Sequence, residues 1–290
     1  MRPEMNAYRN GLTALIILTC FTTARGNEKQ RDIEYARIGE RSLKLDLYLP
    51  EAGRAPLLVW VHGGAWRSGS KESMPLTPFV DAGYAVASLD YRLTPEAPFP
   101  ANVHDIKAAI RFLRAEQDTY AYDARNVVIA GASAGGHLAA LVGTTNGHQV
   151  LEGSVGQHLD QSSDVQAIVS YFGAANLTTI LQQSTPHGLK VRVPALELLL
   201  GGQPDALPDF ARLASPVFHV DKNDPPLFLL HGDQDPQMPI NQSHELHGAY
   251  EQPGLPVRFA VLHGSAHGGA AFFDQDHSKD VIAFLKEQVK

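Results

Sequence analysis

One serine of this chain lies in a sequence context that is typical of a catalytic nucleophile. Gly131-Ala132-Ser133-Ala134-Gly135 follows the apolar run Asn126–Ala130 and precedes His137–Val142, a run of small and apolar residues. This order predicts a strand, a sharp turn that carries Ser133, and a helix. Such a turn exposes the hydroxyl, and the helix amino terminus favours negative charge beside it. A packed turn of small residues can produce the same five-residue pattern, so the interpretation depends on the motifs that accompany it.

Two candidate carboxylates follow the apolar run Leu227–Leu230. From the end of a strand, either Asp233 or Asp235 can reach a histidine on a neighbouring loop and orient it. We favour Asp235, because Pro236 and Pro239 make its part of the loop stiffer. We interpret Asp233 as a turn residue that bonds its own backbone.

Two histidines follow the apolar run Arg258–Leu262. His263 lies at the end of the predicted strand, and we interpret it as structural. His267 lies a few residues farther, among small neighbours that leave its ring open, and we predict that it is the base. The order Ser133, Asp235, His267 is the one that an α/β sheet of this kind requires for nucleophile, carboxylate and base. Together the three predict a serine hydrolase.

A glycine pair after the run Leu57–Val61 offers hydrogen-bond donors for a developing oxyanion. The run ends in the sequence His-Gly-Gly-Ala-Trp, and glycines just past a strand let backbone N–H groups turn toward a substrate carbonyl. We predict that the amides of Gly64 and Ala65, together with that of Ala134, form an oxyanion hole. An ordinary glycine turn is the alternative. Trp66 either walls a substrate pocket or packs beneath a lid.

The elements that must position these residues alternate between strand-like runs and helical periodicity. After an opening antiparallel hairpin at Ile33–Ile38 and Leu43–Leu49, short apolar runs predict six further strands: Leu57–Val61, Tyr84–Ser88, Val127–Ala130, Ala167–Phe172, Leu227–Leu230 and Arg258–Leu262. Helical spacing appears at Val103, Ile106, Ile110 and Leu113, and again at Val281, Ile282, Leu285 and Val289. The alternation predicts an α/β fold with a mainly parallel central sheet that helices flank on both sides.

The segment from Ala174 to Val217 departs from this rhythm. It carries five prolines and one strong helical run, Ala195–Leu200. An excursion of this length in an α/β domain is usually functional, and it falls at the carboxyl ends of the strands, where such sheets bind ligands. We therefore predict a small lid over the site at about residues 174–217.

Composition narrows the class of protein and of partner. The 290 residues, 44% of them hydrophobic, are enough for one α/β domain. With 24 basic and 31 acidic residues, a formal charge of −7 and no basic cluster, nucleic acid and anionic membrane surfaces are poor partners. Cys20 is the single cysteine, which excludes an intramolecular disulfide and a cysteine-built zinc site. The 13 histidines show no metal-binding spacing, so we expect no metal and no other cofactor.

The N-terminal segment has the pattern of a secretory signal. Arg2 and Arg9 precede the apolar stretch Leu12–Phe21, which is too short to span a bilayer, and small residues follow at positions 22–24. We predict a cleavable signal peptide at residues 1–24, a catalytic domain at residues 25–290, and a secreted or periplasmic bacterial protein without an integral membrane span. An interfacial or disordered arm is the alternative. Lipidation of Cys20 is a lesser one, because the residues before it lack the expected small side chain.

The motifs together resemble the α/β-hydrolase superfamily, and specifically its hormone-sensitive-lipase-like and feruloyl-esterase-like carboxylesterases. The resemblance extends from about residue 33 to the C-terminus, and the matching stretches are H-G-G-A-W at His62, D-Y-R-L-T-P-E at Asp90, F-P-A at Phe99, D-I-K-A-A-I-R-F-L at Asp105, G-A-S-A-G-G-H-L-A-A at Gly131, S-P at Ser215, P-P-L-F-L-L-H-G-D-Q-D-P at Pro225, Gln242-Ser243 and H-G-G at His267. Ala65 departs from the third glycine that is usual in the family, and the segment 174–217 does not match.

The resemblance implies a serine carboxylesterase that acts through an acyl-enzyme on a small-molecule or polymer-linked ester. A peptidase or amidase of the same superfamily is the first alternative, and a non-catalytic binding protein with this fold is the second. Fold alone does not separate these alternatives, but the presence of all three site residues favours the enzyme. The motifs leave the acyl and alcohol parts of the substrate and the oligomeric state open.

Overall fold

Eight strands of the described residues form one mixed sheet, which follows the alternation seen in the sequence. A computed structural model describes Met1, residues 28–51 and residues 53–289. The strands are β1 (Glu28–Ile38), β2 (Arg41–Leu49), β3 (Ala55–Val61), β4 (Ala85–Leu89), β5 (Tyr122–Ala132), β6 (Ala167–Tyr171), β7 (Leu227–Gly232) and β8 (Val257–Leu262). Apart from Met1, the predicted signal peptide lies outside the described residues and stays a prediction.

The sheet has the order β1-β2-β4-β3-β5-β6-β7-β8. Strand β2 pairs antiparallel with both β1 and β4, and all the other pairs are parallel. The predicted hairpin and the mainly parallel sheet are therefore confirmed. Because consecutive parallel strands all end at one edge, the loops after β3, β5, β7 and β8 meet there.

The helices complete the two outer layers. They are α1 (Thr77–Asp81), α2 (Ala101–Ala115), α3 (Ala134–Gly143), α4 (Gln149–Glu152), α5 (Ile180–Gln183), α6 (Pro186–Leu200), α7 (Pro208–Leu213), α8 (Asn241–Glu251) and α9 (Gln275–Gln288), with short 3-10 turns at Pro216–Phe218 and Ala270–Phe273. No helix of the described residues has the length and apolar character that crossing a membrane requires.

The core lies on both faces of the sheet, because successive strand residues point in opposite directions. In β3, Leu57 and Val59 join the apolar layer that contains helices α2 and α3. Leu58 and Trp60 join the opposite layer, which contains α1 and α9. All five residues of β6 are buried, which explains why that strand is a continuous apolar run rather than an alternating one.

The segment between β6 and β7 contains more helix than the sequence suggests. Helix α6 runs through Pro194 and is fifteen residues long, whereas the predicted helical run begins only at Ala195. A proline inside a helix loses one backbone hydrogen bond. Here the burial of Leu196 and Leu199 against the main core compensates for that loss. The role of the segment 174–217 as a lid stays a prediction.

Candidate active site

Ser133 lies on a tight turn between β5 and α3. Its backbone has φ +56° and ψ −117°, a conformation that non-glycine residues rarely adopt. The flanking glycines explain how the turn forms. A Cβ atom on Gly131 would lie 2.2 Å from the carbonyl oxygen of Gly135, and one on Gly135 would lie 2.0 Å from that of Val61. Strand and helix therefore approach too closely here for side chains.

This contact predicts that Gly135→Ala destabilises the protein. The new methyl group would overlap the carbonyl oxygen of Val61, and overpacking in a well-packed region costs about 1–3 kcal/mol or more. Urea unfolding measures the loss. Gly248→Ala is the matched control, because a Cβ there meets nothing within 4 Å and the residue lies within helix α8. We expect that control to raise the free energy of unfolding by roughly 0.5–1 kcal/mol. Equal effects of the two substitutions would contradict this explanation of the turn.

His267 contacts both of its predicted partners. Its Nε2 lies 2.9 Å from Ser133 Oγ, and its Nδ1 lies 2.6 Å from Asp235 Oδ2. A carboxylate accepts hydrogen bonds, so Nδ1 carries the ring proton and Nε2 is free to accept from the serine hydroxyl. The ring of Phe172 packs at 4.9 Å against the ring of His267 and limits its movement. The three side chains form a continuous hydrogen-bonded chain that is able to remove a proton from the serine.

Both carboxylate oxygens of Asp235 accept hydrogen bonds. Its Oδ1 accepts from the amides of Gln237 and Met238, each at 2.8 Å, and its Oδ2 also lies 3.3 Å from His231 Nε2. Burial raises the pKa of Asp235, but the hydrogen bonds from His231 and His267 lower it more, so the pKa lies well below its ordinary value. The carboxylate therefore stays ionised beside His267 at neutral and mildly acidic pH.

Sequence reasoning missed the part that His231 has in holding this loop. His231 is fully buried, accepts a hydrogen bond from Ser243 Oγ at Nδ1, and shares its Nε2 proton between the carbonyl of Met238 at 3.0 Å and Asp235 Oδ2 at 3.3 Å. The unused signal was its position at the end of β7, directly before the loop of Asp235. The histidine fixes the turn that brings Asp235 to His267.

Asp233 lies in the same loop but takes no part in this arrangement. Its carboxylate accepts from His263 Nδ1 and from the amide of Gly264, each at 2.7 Å. This corrects the expectation that Asp233 bonds its own backbone, because its side chain instead bridges to the next loop. His263 is largely exposed and has a structural contact here, as the sequence indicated.

The loop after β3 packs against the turn of Ser133, since a Cβ on Gly63 would lie 2.8 Å from the carbonyl oxygen of Ala132 and 3.3 Å from Ser133 Cβ. The carbonyl of Gly64 accepts from the amides of Arg67 and Ser68, each at 3.1 Å, so the chain folds back on itself there. Among the described residues, no oxygen accepts a hydrogen bond from the amides of Gly64, Ala65 or Ala134. The Ala134 amide belongs to the first turn of α3, where N–H groups have no partner within the helix. Three free donors therefore lie near the serine.

Trp66 does not line the cavity, which corrects its assignment to a substrate pocket. The side chain has no exposed surface, and its indole Nε1 donates to His137 Nδ1 at 3.1 Å. His137 in turn donates from Nε2 to the carbonyl of Ala214 at 2.7 Å. Burial lowers the pKa of His137 to about 4, so the ring stays neutral. Trp66 fixes the loop of Gly64 and Ala65 to helix α3. Of the two roles that the sequence left open for Trp66, the structure therefore supports packing.

A cavity of about 400 Å³ opens above Ser133 and His267. The sequence did not point to five of the residues that line it: Arg67, Ser68, Phe172, Val191 and Gln237. Phe172 ends a predicted strand, Val191 lies in the unmatched segment, and the other three lie in irregular loops. The predicted donors Gly64 and Ala65 also line it. The cavity therefore brings the serine, the imidazole and two of the three predicted backbone donors to one space that a substrate can enter.

Comparison with known proteins finds similarity to proteins named as esterases. It is 32% identical over 255 residues to Esterase LipC of Mycobacterium tuberculosis (strain ATCC 25618 / H37Rv), a match that covers 81% of this chain and 62% of the relative. The chain thus spans less than two thirds of the length of this curated relative.

Solved structures cover nearly the whole described fold. A truncated form of a carbohydrate esterase from gut microbiota is 32% identical, has a TM-score of 0.81, and matches over 91% of this chain and 97% of its own. Thermogutta terrifontis esterase 2, phosphoramylated by tabun, is 26% identical with a TM-score of 0.72, over 93% of this chain and 97% of its own.

A family model described as BD-FAE matches residues 45–250, which include the loop of Gly64, the turn of Ser133 and Asp235. The fold, the identities and this match agree with the resemblance drawn from the motifs. The chain belongs to the BD-FAE family, a hormone-sensitive-lipase-like and feruloyl-esterase-like family of the α/β-hydrolase superfamily.

Proposed function

We propose that the protein is a serine carboxylesterase with Ser133, His267 and Asp235 as its catalytic triad. The observation that carries the proposal is the chain of two short contacts, 2.9 Å from Ser133 to His267 and 2.6 Å from His267 to Asp235. Esters are the substrates that such an activated hydroxyl attacks most readily. The similarity to proteins named as esterases supports the same reaction.

The first half of the reaction transfers the acyl group to the enzyme. As Ser133 Oγ bonds to the ester carbonyl carbon, His267 Nε2 takes the hydroxyl proton, and the carbonyl oxygen becomes an oxyanion. The amides of Gly64, Ala65 and Ala134 are the proposed donors to that oxygen. When the intermediate collapses, the carbon–oxygen bond to the alcohol breaks and His267 returns the proton to the leaving alcohol.

The second half repeats these steps with water. His267 Nε2 takes a proton from water as the water oxygen bonds to the acyl carbon. The bond from that carbon to Ser133 Oγ then breaks, His267 returns the proton to Ser133, and the acid leaves. Asp235 stays ionised throughout, holds the ring in the required tautomer and stabilises the imidazolium. The phosphoramylated neighbour supports this course, because an activated hydroxyl nucleophile forms such a covalent adduct.

We propose small-molecule or polymer-linked esters as the substrates, since the cavity of Ser133 is open to solvent and a structural neighbour is a carbohydrate esterase. The predicted signal peptide at residues 1–24 and export from a bacterial cell are also proposals, supported by the apolar stretch that follows Arg9.

Ester and amide substrates with the same acyl group separate the proposed function from a peptidase or amidase. We expect kcat/KM for 4-nitrophenyl butyrate to exceed that for butyryl-4-nitroanilide by at least about 100-fold, because amide resonance and a poor leaving group raise the barrier by more than ~2.7 kcal/mol. Release of nitrophenol or nitroaniline measures both rates. A faster anilide reaction would identify the amidase alternative, and no hydrolysis of either compound would favour a binding protein.

A further inference from the structure

Helix α6 carries a buried arginine whose guanidinium has no hydrogen-bond partner. The Arg192 side chain has no exposed surface, and among the described residues no atom accepts from its Nε, Nη1 or Nη2. Burying a charge without a partner is costly, and an apolar residue of similar volume is often more stable at such a position. The role of this uncompensated charge follows from its surroundings.

The buried face of α6 places this charge beside the candidate active site. Gly188, one turn earlier on the same face, packs so closely that a Cβ there would lie 3.0 Å from the carbonyl oxygen of Gln237. Val191, the neighbour of Arg192, lines the cavity above the serine. The guanidinium carbon lies 5.8 Å from the centre of the Trp66 ring, beneath the loop that presents the candidate oxyanion donors.

A second arginine adds to the positive charge at this cavity. Arg67 is exposed and lines the cavity directly. The pKa of Arg192 is lowered to about 10, chiefly by burial. The negative charge of Asp235 raises this pKa, and the positive charge of Arg67 lowers it further. Arg192 therefore stays positively charged at neutral pH, and the two arginines lie close enough to affect each other. None of the described residues that line the cavity is acidic.

A neighbouring hollow has a less basic lining. It measures about 450 Å³ and shares Gly63 and Ala132 with the first cavity. Its remaining lining residues are mostly apolar and include one carboxylate: Trp60, Glu72, Ser73, Met74, Pro75 and Phe273. The charge around the serine is therefore asymmetric, and an anionic group is favoured only on the side of the two arginines.

We propose that Arg67 and Arg192 form a cationic subsite that selects esters carrying a carboxylate on the acid or the alcohol part. This inference rests on the proposed esterase function and names its substrate class. Two positive charges lie at or beneath this cleft, against the single negative charge of Asp235, which acts on Arg192 but does not line the cavity. The net positive charge attracts a carboxylate in a cleft with low-dielectric walls. A preference of at least about tenfold in kcat/KM over a neutral analogue is the expected size of the effect.

Two pairs of matched esters test the subsite in the wild type. The acid-side pair is the mono-4-nitrophenyl ester of adipic acid and its neutral carboxamide analogue. The alcohol-side pair is 3-acetoxybenzoate and 3-acetoxybenzamide. We expect the anionic member of one pair to have a kcat/KM at least about tenfold higher, and the pair that shows it identifies the part of the substrate that carries the charge. Equal values within both pairs would overturn the proposal.

Variants then assign the preference to the two arginines. Arg67→Gln and Arg192→Met should each lower the ratio of anionic to neutral kcat/KM severalfold. Arg125→Gln should leave it unchanged, because Arg125 is exposed at the opposite end of β5 from Ser133. A ratio that survives both substitutions would overturn the proposal, and if Arg192→Met fails to fold, Arg67→Gln decides. Absence of hydrolysis of all four esters by the wild type would instead refute the esterase function.

Discussion

Ser133→Ala is expected to lower kcat/KM for 4-nitrophenyl butyrate by about 10⁴-fold or more. The substitution removes the oxygen that forms the acyl-enzyme, so only the backbone donors and substrate binding remain to accelerate direct attack by water. The hydroxyl makes one side-chain contact, 2.9 Å to His267, and does not cap helix α3. The variant should therefore fold normally, which circular dichroism and thermal unfolding will show.

An exposed serine provides the control for this substitution. Ser162 lies in the loop before β6, at the opposite end of that strand from the loops that carry the site. Its hydroxyl accepts a hydrogen bond from the amide of Asp164. Ser162→Ala should retain the wild-type rate. If Ser133→Ala and Ser162→Ala hydrolyse the ester equally fast, Ser133 is not the nucleophile.

Asp235→Asn is expected to lower kcat by about 10⁴-fold while the fold is kept. An asparagine amide can donate to Nδ1 of His267, which would place the ring proton on Nε2 and prevent that atom from accepting the serine proton. The change also removes the negative charge that stabilises the imidazolium. Steady-state kinetics under saturating ester measures the loss, and circular dichroism reports the fold.

Asp233→Asn is the matched control, since it makes the same chemical change two residues away. Asp233 contacts His263 and the amide of Gly264 and does not contact His267. We expect its kcat to stay within about threefold of the wild type, because its contact with His263 is exposed and does not reach Ser133 or His267. A large loss in Asp233→Asn with little loss in Asp235→Asn would reverse our choice between the two carboxylates.

The lowered pKa of Asp235 also determines how its contribution depends on pH. Since hydrogen bonds from His231 and His267 outweigh the effect of burial, the folded-state pKa lies below the ordinary carboxyl value. The stability that this carboxylate contributes is therefore fully present above the ordinary value, and it is lost only as the pH falls through the lowered one. Protonation of Asp235 should not limit activity in mildly acidic solution.

Residues whose positions follow from the alternation of strands and helices could be predicted from the sequence. Ser133, Asp235 and His267 each follow an apolar run at a short distance, and parallel strands bring such positions to one edge of the sheet. The same logic predicted helix α2, whose apolar stripe is fully buried. The strand order and the distances between the three side chains come from the structure and could not be read from the sequence.

Residues whose roles depend on side-chain direction could not be predicted. The sequence is compatible with either role of Trp66, and only the structure shows the positive φ of +60°, the buried indole and its contact with His137. Helix α6 passes through Pro194 because packing outweighs the lost hydrogen bond, and no local signal reports packing. Arg192 lies in this helix, so its burial against the site was equally hidden.

Covalent labelling of the wild type is the measurement that tests the central claim most directly. The claim is that an imidazole held by a carboxylate activates one serine hydroxyl for attack. A fluorophosphonate ester should add once per chain, abolish ester hydrolysis, and appear by peptide mass spectrometry on the peptide that contains Ser133. Adduct on any other residue, or full activity after complete labelling of Ser133, would contradict the account.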